Sequence, residues 1–227
     1  MFYDKFLAYL DEPIMFNLMK KLITLLTFVC FFGFPNVMTA QGSSDISEEQ
    51  TQDYLDRHPI FDYNALQLSA SDSIPDFASK QQKLKITGII YKSDGVTPAE
   101  GVILYIEQAD EDGDFDLRKH NDKHYAHHRG WIKTNADGRY TFYTFVPGGD
   151  RRYNQLQQLF PAIKEPSKPN YNLESFLFDE DPLLTKLCRK KINKKGDSSR
   201  ILKPIKKGEV LVVEKNIVLE SHTVVSK

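Results

Sequence analysis

The sequence predicts an all-β sandwich with one short helix near residues 182–192. Short runs in which apolar and polar residues alternate recur between residues 83 and 218, as expected of half-buried strands. Turn signals such as Asp94-Gly95 separate these runs, and only one segment carries convincing features of a helix. Several short strands with a single helix indicate a sandwich.

The predicted strands follow one another along residues 84–220. The first alternates and ends in a turn, and the second is apolar on both faces at first, which is typical of a central strand. A hairpin follows, then a strand with Phe176 and Phe178 on one face, then a long final strand. The segments are LKITGIIYKSDG, GVILYIEQA, RGWIKTNADGRYTFYTFV, NYNLESFLFDEDP and GEVLVVEKNIVLE.

The helix is predicted from its end signals in residues 181–196. Asp181 can cap the amino end, and Pro182 suits the first helical position. Lysines and an arginine crowd the carboxyl end, and Gly196 stops the helix.

The amino-terminal residues predict export. Lys20 and Lys21 precede the apolar run 22–34, and Ala40 precedes a polar tail, which together describe a secretory signal peptide over residues 1–40. Translation is expected to start at Met15 or Met19. The run is short for a membrane span, so no transmembrane anchor is expected after cleavage. We therefore expect a periplasmic or extracellular protein.

Three further segments complete the predicted organisation. Residues 41–80 are expected to form a linker and an edge segment, residues 81–221 the β domain, and residues 222–227 a tail. The 30 basic and 31 acidic residues give a net charge of -1, which exerts no general attraction on nucleic acid. Loss of Cys30 with the signal peptide would leave Cys188 alone, without an intrachain disulfide.

Three motifs follow one another within residues 80–220, namely GIIYKSDGVTPA, RGWIKTNADGRYTFYTFVPG and FLFDEDPLLT. In sequence and in order they resemble the intradiol ring-cleavage dioxygenases, and most closely their small secreted branch. The resemblance implies a β-sandwich that holds a non-haem ferric iron through two tyrosines and two histidines and cleaves catechols. Phenolates are hard anionic donors that suit ferric iron.

This sequence departs from the family at all four ligand positions. The tyrosine positions are occupied by Phe115 and Asp150, and the histidine positions by Gln158 and Phe160. An arginine that commonly precedes the histidines is Gln155 here. We call Phe115, Asp150, Gln158 and Phe160 the substituted iron positions. They predict a non-catalytic homologue without a cofactor, which acts as a binding or structural module for a small aromatic ligand or a cell-envelope component.

Two alternatives remain open. Tyr153 could replace the second tyrosine if the loop slips by three residues, which would retain a catechol-type dioxygenase with Fe(III). Residues 120–128 hold four histidines, of which His124 or His127 could serve a different metal in a repurposed metalloenzyme. The competing interpretation of this segment is a solvated loop between strands.

Overall fold

A computed structural model describes residues 54–64 and 67–221, and strands are the main regular secondary structure among them. The strands in chain order are β1 Ser71–Ser73, β2 Lys83–Tyr91, β3 Ile103–Gln108, β4 Leu117–His120, β5 Lys123–Ala126, β6 Arg129–Lys133, β7 Arg139–Phe145, β8 Gln158–Lys164, β9 Asn170–Asn172, β10 Phe176–Phe178, β11 Ile201–Leu202, β12 Ile205–Lys207, β13 Val210–Glu214 and β14 Ile217–Val218.

Two of the sheets face each other. The first has the strand order β1-β7-β2-β13-β12, with β14 also paired to β2. The second has the order β11-β10-β8-β3-β6, with β9 paired to β8. Strands β4 and β5 form a separate hairpin. The predicted all-β sandwich is confirmed, and β3 is a central strand, as its apolar character indicated.

Alternation along the strands explains why the two sheets pack together. Every second residue of β2 is buried, because successive side chains of a strand point to opposite faces. The two sheets contribute fully buried side chains to one core, which includes Leu84, Ile86, Phe142, Leu104, Ile106, Leu159 and Ile163. Burying this apolar surface is the main favourable contribution to folding.

Residues before position 81 also pack on the sandwich. Strand β1 pairs in parallel with β7, with Ser71 opposite Thr141. A 3-10 turn, Pro59–Phe61, places Ile60 against Tyr105 on the outer face of the second sheet. The Trp131 indole donates a hydrogen bond to the Pro59 carbonyl at 3.0 Å. These contacts tie the segment before the domain to both sheets.

The predicted helix exists but begins four residues later than expected. Helix α1 spans Lys186–Lys194, and Thr185 caps it by accepting a hydrogen bond from the Cys188 amide. Asp181 instead accepts hydrogen bonds from the Leu183 and Gln157 amides, so its carboxylate holds the preceding turn. The helix ends at Lys194, and Gly196 follows its carboxyl-terminal cap with a φ of 77°, the left-handed conformation in which glycine often terminates helices, as predicted.

The histidine-rich segment is a hairpin rather than a loop. Strands β4 and β5 pair in register, with His120 opposite Lys123 and Lys119 opposite His124. The two turn residues between them, Asn121 and Asp122, both have positive φ. Asn and Asp tolerate this left-handed region better than most residues, which favours a two-residue hairpin turn here.

The predicted signal peptide, residues 1–40, lies outside the described residues, as does the 222–227 tail. Within residues 54–64 and 67–221, no helix combines the length and the apolar character needed to cross a bilayer.

Candidate functional site

Two of the substituted iron positions touch each other. Phe160 lies in β8, and Phe115 follows the turn after β3. Their ring centroids are 5.7 Å apart, with an interplanar angle of 45°. The resemblance implies that these positions converge on one centre, and the structure brings them together as a hydrocarbon pair.

Tight backbone packing brings Phe115 to this place. Asp110 holds the turn by accepting hydrogen bonds from the Asp112 and Asp114 amides at 2.9 and 3.0 Å. Gly148 donates to the Asp110 carbonyl at 2.7 Å. A Cβ on Gly148 would lie 2.3 Å from the carbonyl oxygen of Glu111, so only glycine allows this approach.

Asp150 is buried and already committed to an ion pair. Its Oδ2 lies 2.8 Å from Arg152 Nη2, and its Oδ1 accepts from the Arg152 amide at 2.7 Å. The hydrogen bond from Arg152 lowers the pKa of Asp150. Asp150 and Gln155 also exchange backbone hydrogen bonds, and the Gln155 side chain donates to the Gly113 carbonyl at 2.7 Å. The 147–155 loop is therefore locked onto the preceding turn.

The remaining candidates from this loop are Gln158 and Tyr153. Gln158 Oε1 accepts a hydrogen bond from Ser175 Oγ at 3.0 Å. Tyr153 is 80% exposed, and the Arg152 guanidinium lies 5.7 Å from its ring centroid.

This donor set does not fit the ferric iron of the family. Phenyl rings have no lone pair to donate, and two of the four positions hold phenyl rings. The Asp150 carboxylate is neutralised by Arg152, and the Gln158 amide is a weak neutral donor. Ferric iron prefers anionic oxygen donors with imidazoles, and none of these groups remains available in that combination.

A small cavity adjoins Phe160 on the outer face of the second sheet. Its volume is about 180 Å³, and it is lined by His58, Pro59, Tyr105, Glu107, Phe160 and Asn172, among others. The Tyr105 hydroxyl donates to Glu107 Oε2, and burial together with that carboxylate raises the pKa of Tyr105. His58 Nε2 lies 3.2 Å from Asn172 Oδ1. The cavity thus combines an aromatic wall with a few polar groups, as ligand pockets do.

A group of side chains of the types that ligate metals lies elsewhere. Donor atoms of Asp76, His127 and His128 all lie within 4.8 Å of one another, and we call these three residues the histidine cluster. His127 Nε2 is 2.9 Å from Asp76 Oδ2. Of the two histidines proposed from sequence, His127 belongs to this cluster, whereas His124 is exposed on β5. Sequence reasoning did not find Asp76, which lies 51 residues before His127.

Solved structures of dioxygenases have a similar fold. The chain is similar to the dioxygenase domain of a dioxygenase–carbohydrate-binding protein fusion from Streptomyces sp. SirexAA-E, with a TM-score of 0.53 and 21% identity over 70% of this chain and 92% of that one. It is also similar to an intradiol ring-cleavage dioxygenase from Tetranychus urticae, with a TM-score of 0.50 and 16% identity over 69% of this chain and 89% of that one.

No protein-family model and no curated protein matches the sequence. The structural likeness confirms the predicted fold: this chain has the β-sandwich of the intradiol ring-cleavage dioxygenases.

Proposed function

We propose that this chain is an exported, non-catalytic protein with the intradiol dioxygenase fold, and that it binds a small aromatic molecule. The observation that carries the proposal is the Phe115–Phe160 contact. Two phenyl rings occupy positions where the family places a phenolate and an imidazole. Ring cleavage needs a specific coordination set with an open position, and hydrocarbon side chains cannot supply one.

The cavity beside Phe160 supports a binding role. An apolar cavity of about 150 Å³ accommodates benzene, so the volume of about 180 Å³ suits a single ring. Phe160 and Tyr105 offer aromatic surface, and the paired Tyr105 hydroxyl and Glu107 carboxylate offer a polar edge to a ring hydroxyl. A monocyclic phenol or catechol is therefore the ligand we favour over a larger cell-envelope component.

The absence of catalysis is tested on purified, iron-supplied protein. We expect a colourless protein without stoichiometric iron, and no oxygen uptake with catechol or protocatechuate. Iron held by phenolates would produce visible charge-transfer absorption. Stoichiometric iron with that absorption, or oxygen uptake above the protein-free rate, would instead support a retained catechol dioxygenase that uses Tyr153.

Ligand binding is tested by calorimetric titration with catechol, phenol and benzoate. Phe160→Ser should weaken binding, because Phe160 lines the cavity. Phe77→Ser is the matched control, since Phe77 packs on Tyr143 and does not line this cavity. Equal affinity in wild type and Phe160→Ser, or no binding of any monocyclic ligand, would contradict the binding role.

Export is tested separately, with the full chain expressed in a host that recognises signal peptides. We expect the mature protein outside the cytoplasm, with an amino terminus close to Gln41. A protein that stays in the cytoplasm and keeps residues 19–40 would refute export without affecting the binding proposal.

A further inference from the structure

We propose that the histidine cluster, Asp76, His127 and His128, is a binding site for a divalent transition-metal ion of the zinc type. The proposal concerns residues other than the substituted iron positions and does not depend on the proposed function. It rests on the convergence of three donors, on an unpartnered buried imidazole nitrogen, and on the balance of charges around them.

A local turn makes the two consecutive histidines converge. In a regular strand the side chains of neighbouring residues point to opposite faces. Here the Arg129 amide donates to the His127 carbonyl at 3.0 Å, which closes a three-residue turn centred on His128. The two imidazole centroids are consequently 5.1 Å apart.

Backbone hydrogen bonds hold this turn in place from both sides. The His127 amide donates to the Asp116 carbonyl at 2.8 Å, and the His128 carbonyl accepts from the Gln108 amide at 3.0 Å. Asp76 approaches from the segment after β1, with a φ of 63°. Donors that are positioned before the ion arrives lose little conformational freedom when it binds.

His128 supplies a second and independent indication. Its side chain is buried, since only 4% of the residue is exposed, yet Nδ1 has no hydrogen-bond partner. Its ring packs edge-on against Phe145, with centroids 5.0 Å apart. Native proteins leave few buried polar atoms without a partner, because each such atom costs free energy, and a bound ion is one way to satisfy it. This nitrogen makes no hydrogen bond that a bound metal ion would have to replace.

The surrounding charges are negative in sum. Four carboxylates and two permanent cations lie in or next to the cluster, namely Asp76, Asp110, Glu111, Asp116, Lys80 and Arg118. Lys80 is paired with Glu111 at 3.0 Å, and Arg118 is paired with Asp116 at 3.0 Å. After these pairs are formed, Asp76 and Asp110 remain to balance a dication.

The donor chemistry identifies the class of ion. Two imidazoles and one carboxylate suit zinc and its neighbours in the first transition series, and three protein ligands leave a fourth position for water. Bonds of about 2.0–2.1 Å place the donor atoms roughly 3.3 Å from one another. His127 Nε2 and Asp76 Oδ2 are already 2.9 Å apart, and the Asp76 side chain is 56% exposed, so it can adjust its position when an ion binds.

The test is a calorimetric titration of metal-free protein with Zn²⁺, accompanied by the visible spectrum of the Co²⁺ form. We expect one ion per chain. Asp76→Asn and His127→Ala should each weaken Zn²⁺ binding by about tenfold or more, because even changes beside a metal ligand cost about 10–100-fold. The intense visible bands of tetrahedral Co²⁺ should weaken in parallel.

Two matched controls accompany these variants. Asp122→Asn changes another aspartate at positive φ, 64°, whose side chain is 81% exposed. His124→Ala removes an exposed histidine of β5. Both should bind Zn²⁺ like the wild type, and circular dichroism should confirm the fold of every variant.

The results separate the possibilities. Three outcomes would each overturn the proposal. Asp76→Asn and His127→Ala could leave metal binding unchanged, His124→Ala could abolish it, or the wild type could bind neither Zn²⁺ nor Co²⁺ stoichiometrically. Because Asn tolerates the left-handed backbone at position 76, Asp76→Asn keeps the test decisive if His127→Ala does not fold. Iron content and oxygen uptake, which test the proposed function, do not enter this measurement.

Discussion

The substituted iron positions and the histidine cluster differ in whether their polar side chains have partners within the protein. At the substituted iron positions, Phe115 and Phe160 pack together, Asp150 pairs with Arg152, and Gln158 accepts from Ser175. In the histidine cluster three donors converge, and His128 Nδ1 has no partner. The polar side chains of the first region therefore find partners within the protein, while one nitrogen of the second region does not.

The largest expected effect is stabilisation by metal. An ion that binds only the folded state raises the unfolding free energy by about 2.7 kcal/mol at a free concentration of about 100 times Kd. Urea unfolding of the wild type should show this increase with Zn²⁺ and lose it with a chelator. Asp76→Asn should show little increase, whereas Asp122→Asn should match the wild type. An equal Zn²⁺-induced increase in the two variants would mean that Asp76 does not bind the ion, and the contrast between the two regions would be lost.

A smaller effect is expected when the unpartnered nitrogen is removed. His128→Phe keeps a ring against Phe145 and deletes a buried polar atom whose lost hydrogen bonding costs about 1–3 kcal/mol. In metal-free buffer, the unfolding free energy should rise by about 1 kcal/mol, the lower end of that range. His124→Phe, at an exposed position, should leave it nearly unchanged. A clear loss of stability in His128→Phe would indicate that Nδ1 is satisfied in solution.

The coupling free energy between Phe115 and Phe160 should be of similar or smaller size. A double-mutant cycle with Phe115→Ala and Phe160→Ala should give about 0.5–1.5 kcal/mol, as expected of contacting aromatic rings. Phe115→Ala combined with Phe77→Ala is the control and should be additive, because Phe77 packs on Tyr143 instead. A coupling near zero for the first pair would mean that the rings do not touch in solution.

The smallest expected effect is the contribution of Asp150 to the pH dependence of the unfolding free energy. Arg152 lowers the pKa of Asp150 below its ordinary value of 3.8. A carboxyl with a depressed pKa stabilises the fold above its unfolded pKa, and this contribution is lost as the pH falls through the folded value. Asp150→Asn should therefore flatten the decline of the unfolding free energy below about pH 4, measured by urea unfolding from about pH 5 down to about pH 2.5.

Asp94→Asn is the positive control for this measurement. A hydrogen bond from Thr97 lowers the pKa of Asp94 to about 2. Asp94→Asn should therefore also flatten the decline of the unfolding free energy at low pH. If Asp94→Asn flattens the curve and Asp150→Asn does not, the Asp150–Arg152 pair does not persist in solution.

The fold could be predicted from sequence because its signals are local. Alternation in β2, the turn after it and the apolar run of β3 each specify their own element. Counting residues in motifs that resemble a known family assigns Phe115 and Phe160 to two ligand positions, and the contact between their rings becomes visible only in the structure. The start of α1 differs from the prediction because Asp181 and Thr185 both suit a cap, and the Gln157 amide recruits Asp181 from a distant part of the chain.

The histidine cluster could not be predicted from the spacing of its residues. Asp76 belongs to residues 41–80, which the sequence predicts to form a linker and an edge segment, and it meets His127 only because β1 pairs with β7 and brings this segment onto the sandwich. His128 joins through a three-residue turn, which has no distinct pattern in the sequence. Contacts between distant segments depend on the tertiary structure, so they appear only once the sheets are assembled.

The short strand β1 also has a consequence for solubility. Only three residues long and polar, it covers the backbone of β7, whose sequence RYTFYTF combines aromatic and β-branched side chains. Exposed edge strands with this composition pair readily with other chains and promote aggregation. The segment that carries Asp76 therefore also covers an aggregation-prone edge of the sheet. A truncation that began the chain at residue 81 would expose the β7 edge, and we expect such a chain to self-associate.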